Sequence, residues 1–303
     1  MPLVQTPISV IVATRDRHDT VVKTVRSVLD NEYPNFELIV VDQSADDSTR
    51  VALEPFTKDH RFRYRQATTE GLQKARNTGA QEARYPIVVA TDDDCEVPAN
   101  WLLSFFSAFT MDSRVAVVFG QVVAAAHDRA KGFIPAYEFR NLVVVTRVSE
   151  RHRTEGMGAC FGFRKDAWLA LHGFDSALGR GSRFQSAGET DFSLRALMAG
   201  YHVCQSAEIR VLHHGFRTWS EGEVLVRGYL FGVGAIYMKQ LRRGHWTVLG
   251  DLLAVGWRFL SGSRAVETGG SRNRLLKLGA FLRGAAAGLT TPLNADTGHF
   301  AES

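Results

Sequence analysis

The chain of 303 residues is predicted to fold as an α/β protein with a mixed, mostly parallel sheet. Two observations predict it. Short apolar, β-branched runs alternate with segments of helical apolar spacing, and polar or acidic residues follow where these runs end. Such alternation builds a three-layer sandwich, in which helices cover both faces of the sheet. Ligands bind these sheets beyond the carboxyl ends of the strands, so the polar ends mark the expected site.

The first third of the chain supplies the alternating elements. A strand over Ile8 to Ala13 precedes a helix that Asp19 or Thr20 caps and that runs to Leu29. Three of the strand ends, at Thr14, Asp42 and Asp92, are expected to converge on one crevice. The remaining predicted elements are strands over Glu37 to Val41, Arg61 to Gln66 and after Pro86, and a helix over Gly71 to Arg84.

Three consecutive aspartates, Asp92, Asp93 and Asp94, follow the apolar run Pro86 to Ala90. In an extended chain Asp92 and Asp94 share one side while Asp93 points to the other. The outer pair suits a hard cation such as Mg²⁺ or Mn²⁺, and bound Mg²⁺ usually also contacts the phosphates of a substrate. A phosphorylated substrate is therefore expected.

Seven segments, taken in order, resemble the inverting nucleotide-sugar glycosyltransferases of family 2, whose fold is called GT-A. The ordered set is far more specific than any one motif. It covers about two thirds of the chain: VIVATRDR at 10–17, ELIVVDQSADDST at 37–49, GLQKARNTGAQEA at 71–83, VVATDDDCEVPANWL at 88–102, GACFGFRKDAWLALHGFD at 158–175, GETDFSLRAL at 188–197 and VLHHGFR at 211–217.

The resemblance implies a donor site and a metal site. Asp94 is expected to bind the ion that bridges the diphosphate, together with Asp92 and with His213, or His214 in its place. Mn²⁺ or Mg²⁺ is the expected cofactor, and a histidine ligand tilts the choice towards Mn²⁺. The residues expected to contact the nucleotide sugar are Thr14, Arg15, Asp42, Gln43, Arg76, Asn77, Asp92, Asp93, Gly158 and Arg217.

An inverting transfer also needs a base for the acceptor hydroxyl. The candidates are Asp191 and Glu189 in the segment GETDF. The family's usual pattern has adjacent Glu and Asp, whereas here Thr190 separates the two acids. We favour Asp191, because an acid at Glu189 is also explained by the dipole of the helix that begins there.

The chain is expected to divide into a GT-A catalytic domain, residues 1–219, and a helical C-terminal appendage, residues 220–303. The catalytic domain comprises a nucleotide-sugar half, about 1–97, and an acceptor half, about 98–219. The appendage has predicted helices over Val224 to Leu241 and Trp246 to Leu260 and many basic residues. No uncharged run in it approaches the roughly 20 residues of a membrane span. It either lies on an anionic membrane surface or packs on the catalytic domain or a second subunit, as in a homodimer.

Composition narrows the function classes. The net charge of +4 specifies no nucleic-acid partner. The loop Thr14 to Asp19 contains no glycine, which excludes the phosphate loops of dehydrogenases and nucleotidyltransferases. Three cysteines without metal spacing, and the absence of a signal segment before the first strand, indicate a cytoplasmic protein, in solution or peripheral at the inner face of the cell membrane.

We therefore predict a metal-dependent inverting glycosyltransferase. It would move a sugar from a nucleoside diphosphate, UDP by expectation, to a hydroxyl on a saccharide or lipid-linked saccharide, in cell-surface polysaccharide or glycolipid synthesis. The alternative is a catalytically degenerate glycosyltransferase that serves as a scaffold or membrane-associated binding protein. Only the altered Glu-Thr-Asp motif supports the alternative, and the intact triple aspartate opposes it.

Overall fold

The computed structural model describes residues 5–154, 156–261 and 274–301. Within them, nine strands form one mixed sheet with helices on both faces, as predicted. The strands of the chain are β1 Ile8–Thr14, β2 Phe36–Asp42, β3 Phe62–Gln66, β4 Ile87–Asp92, β5 Cys95–Glu96, β6 Val115–Ala124, β7 Gly132–Phe133, β8 Val143–Val145, β9 Phe161–Arg164, β10 His202–His213 and β11 Arg217–Thr218. The helices are α1 His18–Leu29, α2 Ser48–Leu53, α3 Leu72–Glu82, α4 Trp101–Thr110, α5 Lys165–Ala170, α6 Gly188–Met198, α7 Trp219–Arg242, α8 Val248–Ser261 and α9 Arg274–Thr290, with 3-10 turns at Glu54–Lys58 and Val148–Arg153.

The strand order is β3-β2-β1-β4-β9-β6-β10-β5, with β8 beside β10. The first four strands are parallel, whereas β9 is antiparallel to both of its neighbours. The register places Thr14 of β1 opposite Asp42 of β2, and Asp92 of β4 opposite Ala13. The three polar strand ends therefore meet at one edge of the sheet, as expected.

Two buried apolar layers flank the sheet. Val25 of α1 and Phe105 of α4 lie in the layer on one face, and Ala80 of α3 and Phe192 of α6 lie in the layer on the other. Successive residues of a central strand contribute to opposite layers because strand side chains alternate. These strands are therefore apolar along most of their length, as expected of strands covered on both faces. The buried exceptions Ser9 and Glu37 pair with each other, since the Ser9 hydroxyl donates to Glu37 at 2.7 Å.

Helix α1 begins at His18, so the predicted caps Asp19 and Thr20 are both inside it and that prediction is wrong. The residue before the helix is Arg17, and the Thr20 hydroxyl donates back to its carbonyl at 3.3 Å. The preceding Asp16 has a positive φ of 54°. This tight turn directs the Arg17 side chain back over the sheet edge.

Helix α7 starts earlier than predicted because Thr218 and Glu221 form a capping box at its N-terminus. Its Lys239 is fully buried and contacts the carboxylates of Asp175 and Asp191, which belong to the predicted acceptor half. The amide of Phe300 donates to Asp175 at 3.0 Å. The C-terminal elements are thus tied to the sheet layers, and a domain boundary between residues 219 and 220 stays a prediction.

Helix α8 packs on the 3-10 turn Val148–Arg153. Its Asp251 is fully buried and accepts from Arg151 at 2.7 Å and from the Tyr237 hydroxyl at 2.5 Å. In the part of the chain that the structure describes, no helix combines the length and the apolarity needed to cross a membrane. Arg264 and Arg272 of the basic tail lie outside the described residues.

Candidate active site

The acidic motif turns at the end of β4. The strand ends at Asp92, so the expected alternation of the three carboxylates does not continue: one Arg17 nitrogen donates to Asp93 at 2.8 Å and to Asp94 at 2.7 Å. The Thr14 hydroxyl also donates to Asp93, at 2.8 Å. Burial raises the pKa of Asp93 to about 6, despite the opposing charge of Arg17.

Asp94 faces His213 at the end of β10, with 3.2 Å between Oδ1 and Nε2. The other ring nitrogen, Nδ1, lies 2.8 Å from the carbonyl of Pro135, an acceptor that fixes Nδ1 as the donor. Nε2 therefore points at the carboxylate. Burial alone would raise the pKa of Asp94, but His213 and Arg17 hold it well below its usual range.

These two residues fit a divalent cation. Asp94 Oδ1 is buried, lies 3.2 Å from His213 Nε2 and has no well-aligned hydrogen-bond donor, and a histidine whose Nδ1 is held by a carbonyl is a typical metal ligand. Gly215 packs against both, since a Cβ there would lie 2.5 Å from His213 Nε2 and 2.7 Å from Asp94 Oδ2. The Cys95 thiol lies in the same group, but burial raises its pKa well above the ordinary value, which opposes the thiolate form that binds metal.

His214, the alternative to His213, turns away from the acidic motif. Its Nε2 lies 2.7 Å from Glu96 at the surface, although its backbone amide donates to the Asp94 carbonyl. The structure therefore brings His213, and not His214, to Asp94.

Arg76 of α3 is the buried hub of the crevice. Its guanidinium donates to Asp92 at 3.1 Å, to the Gly158 carbonyl at 2.8 Å and to Glu189 Oε1. Gln73, one turn earlier, donates to the same Glu189 oxygen at 3.2 Å. A Cβ at Gly158 would overlap both Arg76 and Glu189. Asp92, Gly158 and Glu189 thus line one space, although Asp92 binds Arg76 instead of facing His213 directly.

Asp191 lies outside that space, on the opposite side of α6 from Glu189. Residues two positions apart in the sequence of an α-helix are separated by about 200° around its axis. The Asp191 carboxylate is fully buried and contacts Lys239 at 2.6 Å and Arg195 at 2.8 Å, and Gln240 donates to it at 3.2 Å. Burial alone would raise its pKa, but the two cations hold it well below its usual range. The structure does not bring Asp191 together with the donor motif.

Asn77 is also separate from the crevice. Its amide donates to the Phe174 carbonyl at 2.8 Å, and its oxygen accepts from the Phe174 amide at 2.9 Å and from the Trp168 indole at 3.3 Å. These bonds fasten the segment after α5 to α3. Arg15, by contrast, is half exposed and binds Glu70 at 2.7 Å.

Two further residues predicted to bind the nucleotide hold the loop after β2. Asp42 is fully buried and accepts from Ser44 and, at 2.7 Å, from the Tyr64 hydroxyl. The Gln43 amide donates to the carbonyls of Thr69 and, at 3.2 Å, Gly71. Asp42 lies at the predicted sheet edge, but its carboxylate is committed to neighbouring side chains.

One arginine of the crevice, Arg17, which binds Asp93 and Asp94, was not predicted from the sequence. Arg217 was predicted, and burial together with the charges of Arg180 and Arg17 lowers its pKa. Asp94 lies near enough to oppose that effect. The available signal was the second arginine of TRDR. The crevice thus joins the carboxylates of Asp93 and Asp94 to Arg17, and Arg217 lies near enough to Asp94 for their charges to interact.

Comparison with known proteins identifies the family. The model of the family described as glycosyl transferase family 2 matches residues 9–168, just over half of the chain. The chain belongs to glycosyl transferase family 2. The expected enzyme class, glycosyltransferase, is thereby confirmed. A glucosyl-dolichyl phosphate glucuronosyltransferase of Haloferax volcanii is 28% identical in an alignment of 265 residues that covers 82% of this chain and 83% of that protein.

A second curated relative and two solved structures are also similar to this chain. A poly-beta-1,6-N-acetyl-D-glucosamine synthase of Staphylococcus epidermidis is 26% identical over 45% of this chain but 33% of its own length. The mannosyltransferase PcManGT of Pyrobaculum calidifontis, solved with GDP-Man and Mn²⁺, superposes with a TM-score of 0.62 at 15% identity, over 95% of this chain and 88% of that chain. TarS of S. aureus gives 0.56 at 17% identity, over 78% of this chain and 43% of that chain. These likenesses confirm the predicted fold class.

Proposed function

We propose that this family 2 enzyme transfers a sugar, with inversion, from a nucleoside diphosphate to a hydroxyl acceptor, and that Glu189 is the base. The observation that carries the proposal is the Arg76 guanidinium, which binds Glu189 and Asp92 at once. One side chain thus ties a carboxylate of the acceptor half to the donor motif.

Glu189 is suited to accept the proton of the acceptor. Among the described residues its donors are Arg76 and Gln73, which both bind Oε1, and we assign Oε2 as the proton acceptor. The acceptor oxygen attacks the anomeric carbon, the bond from that carbon to the diphosphate oxygen breaks, and the hydroxyl proton passes to Glu189. Asp191 is a poor candidate because Lys239 and Arg195 enclose it.

The donor diphosphate would bind beside Asp94. A divalent cation held by Asp94 and His213 would stabilise the charge that develops on the leaving diphosphate. Arg17 and Arg217 would add positive charge there from the protein itself, since the side chains of both lie near Asp94 at this edge of the sheet. Mn²⁺ is favoured because a histidine belongs to the site and because PcManGT was solved with that ion.

The nucleotide and the acceptor follow from relatives only in outline. TarS structures contain UDP or UDP-GlcNAc and PcManGT contains GDP-Man, so UDP and GDP are the first nucleotides to test. The name of the Haloferax relative specifies a lipid-linked sugar. We propose a saccharide or lipid-linked saccharide as the acceptor.

The test compares Glu189→Gln with Asp191→Asn, by nucleotide binding and by release of nucleoside diphosphate from the donor sugar. Glu189→Gln is expected to keep binding within about threefold and to lose at least about 10²-fold in turnover, the usual contribution of a general base. The folded fraction of Asp191→Asn is expected to keep both the nucleotide binding and the turnover of the parent protein. Full turnover in Glu189→Gln would overturn the assignment.

A further inference from the structure

Two C-terminal helices, α8 and α9, each expose a set of large apolar side chains. Along α8, Leu249, Leu253 and Trp257 recur every four residues on the side away from the buried Asp251, and Leu253 and Trp257 are each 72% exposed. Trp246, just before the helix, is 66% exposed. An amphipathic helix normally buries its apolar stripe against its own domain. An exposed stripe of this size therefore indicates a surface that contacts a membrane or another molecule.

Helix α9 carries a second stripe. Leu275, Leu278, Leu282 and Leu289 recur at helical spacing and are all exposed, from 78% at Leu275 to 47% at Leu278. The opposite side of the helix packs on α7 through glycines. The exposed stripes of α8 and α9 are called the tail surface below.

The tail surface reaches the level of the active site. Gly284 lies against Phe231 and Gly288 against Ala235, an offset of 53 residues in both pairs, so α9 runs parallel to α7. The stretch from Leu275 to Leu282 is therefore level with residues 222–229, the first turns of α7. That helix follows directly after Arg217 of the crevice.

Charge decides between the partners that could cover this surface. In the sequence, residues 242–290 contain eight basic residues and two acidic ones, a net charge of +6 against +4 for the whole chain; the basic ones are Arg242, Arg243, Arg258, Arg264, Arg272, Arg274, Lys277 and Arg283. One of the two acids, Asp251, is buried and paired. A two-fold dimer would bring this positive segment against its own copy.

We propose that the tail surface docks on a bilayer that contains anionic lipid. Leucines enter the boundary of the acyl chains, tryptophans sit at the headgroup level, and arginines meet the lipid phosphates. The helices lie on the bilayer and do not cross it. If the proposed glycosyl transfer is the function, docking also has a consequence for catalysis, because it brings the crevice to the head of a lipid-linked acceptor. This consequence alone rests on the proposed function.

The test is flotation of the full chain with vesicles of phosphatidylcholine alone or mixed equally with phosphatidylglycerol, without nucleotide. Binding to the anionic vesicles is expected at low salt and should fall at least tenfold on neutral vesicles. It should also fall at least tenfold in about 1 M NaCl, where the screening length is about 3 Å. Equal binding to both vesicle types, or none at low salt, overturns the proposal.

Two double variants locate the surface: Leu253→Ser with Trp257→Ser on α8, and Leu278→Ser with Leu282→Ser on α9. Each should reduce binding to anionic vesicles at least tenfold. The matched control is Leu103→Ser with Leu169→Ser, which removes two exposed leucines of α4 and α5. It should stay within twofold of the parent chain, and an equal loss in the control overturns the assignment.

Two measurements separate this proposal from others. If sedimentation shows a dimer that the tail variants dissociate, and vesicles are not bound, a second copy covers the surface and the proposal fails. Asp94→Ala should lose nucleotide binding in solution yet keep vesicle binding. Docking and chemistry can therefore fail independently.

Discussion

Replacing Asp191 with asparagine is expected to cost stability, not chemistry. Asp191 lies 2.6 Å from the Lys239 amine and 2.8 Å from Arg195, and neither it nor Lys239 is exposed to solvent. Removing one member of a buried ion pair costs about 3–5 kcal/mol, because a charge is left buried and uncompensated. Lys239 keeps Asp175 at 2.7 Å, and so we expect the lower end, about 3 kcal/mol.

A loss of about 3 kcal/mol corresponds to a fall in Tm of about 6–12 °C, taking about 2–4 °C per kcal/mol for a large domain. Calorimetric unfolding at pH 7 measures it, and donor turnover at 20 °C, corrected for the folded fraction, should match the parent protein. Asp175→Asn is the matched control, since it removes the other carboxylate of the same lysine. An unchanged Tm with a hundredfold loss of turnover would refute the reasoning.

The same cluster predicts a pH dependence. The pKa of Asp191 is lower in the folded state than in the unfolded chain. Its contribution to the free energy of unfolding is therefore complete above the unfolded pKa of about 3.9, and it is lost as the pH falls through the folded-state pKa. The stability difference between Asp191→Asn and the parent protein should therefore be constant from pH 7 to about 5 and shrink below about pH 4. A difference that grows on acidification would contradict a carboxylate paired with cations.

Two other substitutions separate a catalytic role from a structural role within the predicted catalytic domain. Gly158→Ala should displace the Arg76–Glu189 pair, whose flexible ends can move, and so lower turnover about 10²-fold with a Tm within a few degrees of the parent value. Asn77→Ala should do the reverse: it removes the side-chain bonds to Phe174, lowers stability by about 1–3 kcal/mol in chemical denaturation and leaves nucleotide affinity within about threefold. Unchanged turnover in the first variant, or a nucleotide affinity lost in the second, would show that these roles are misplaced.

The sequence predicted the fold and the acidic motif because both depend on local pattern. Runs such as Ile8–Thr14 must be buried strands, and their parallel pairing brings Thr14 and Asp42 into register. These are short-range constraints that sequence spacing conveys. The sequence left His213 and His214 as alternatives, and in the structure the side chain of the first faces Asp94 whereas that of the second faces Glu96 at the surface.

Local pattern does not convey the surroundings of residues whose partners are distant in the sequence. Asp191 looks like a second catalytic acid in the sequence, but its partner Lys239 lies 48 residues away on α7. The only local hint was Arg195, four residues on, which is the spacing of an ion pair within a helix. Lys239 lies in the C-terminal appendage, where the sequence shows only one of many basic residues, whereas in the structure it is fully buried. Arg17 was missed because the helix was expected to begin two or three residues later than it does.

The measurement that tests the central claim most directly is calorimetric titration of the chain with UDP, GDP and dTDP, first with Mn²⁺ and then with EDTA, for the parent protein and for Asp94→Ala. We predict that the parent protein binds one of these nucleotides only when the metal is present, and that Asp94→Ala binds none. Failure of the parent protein to bind any nucleotide with Mn²⁺, or equal binding by Asp94→Ala, would contradict a metal-dependent donor site at this crevice.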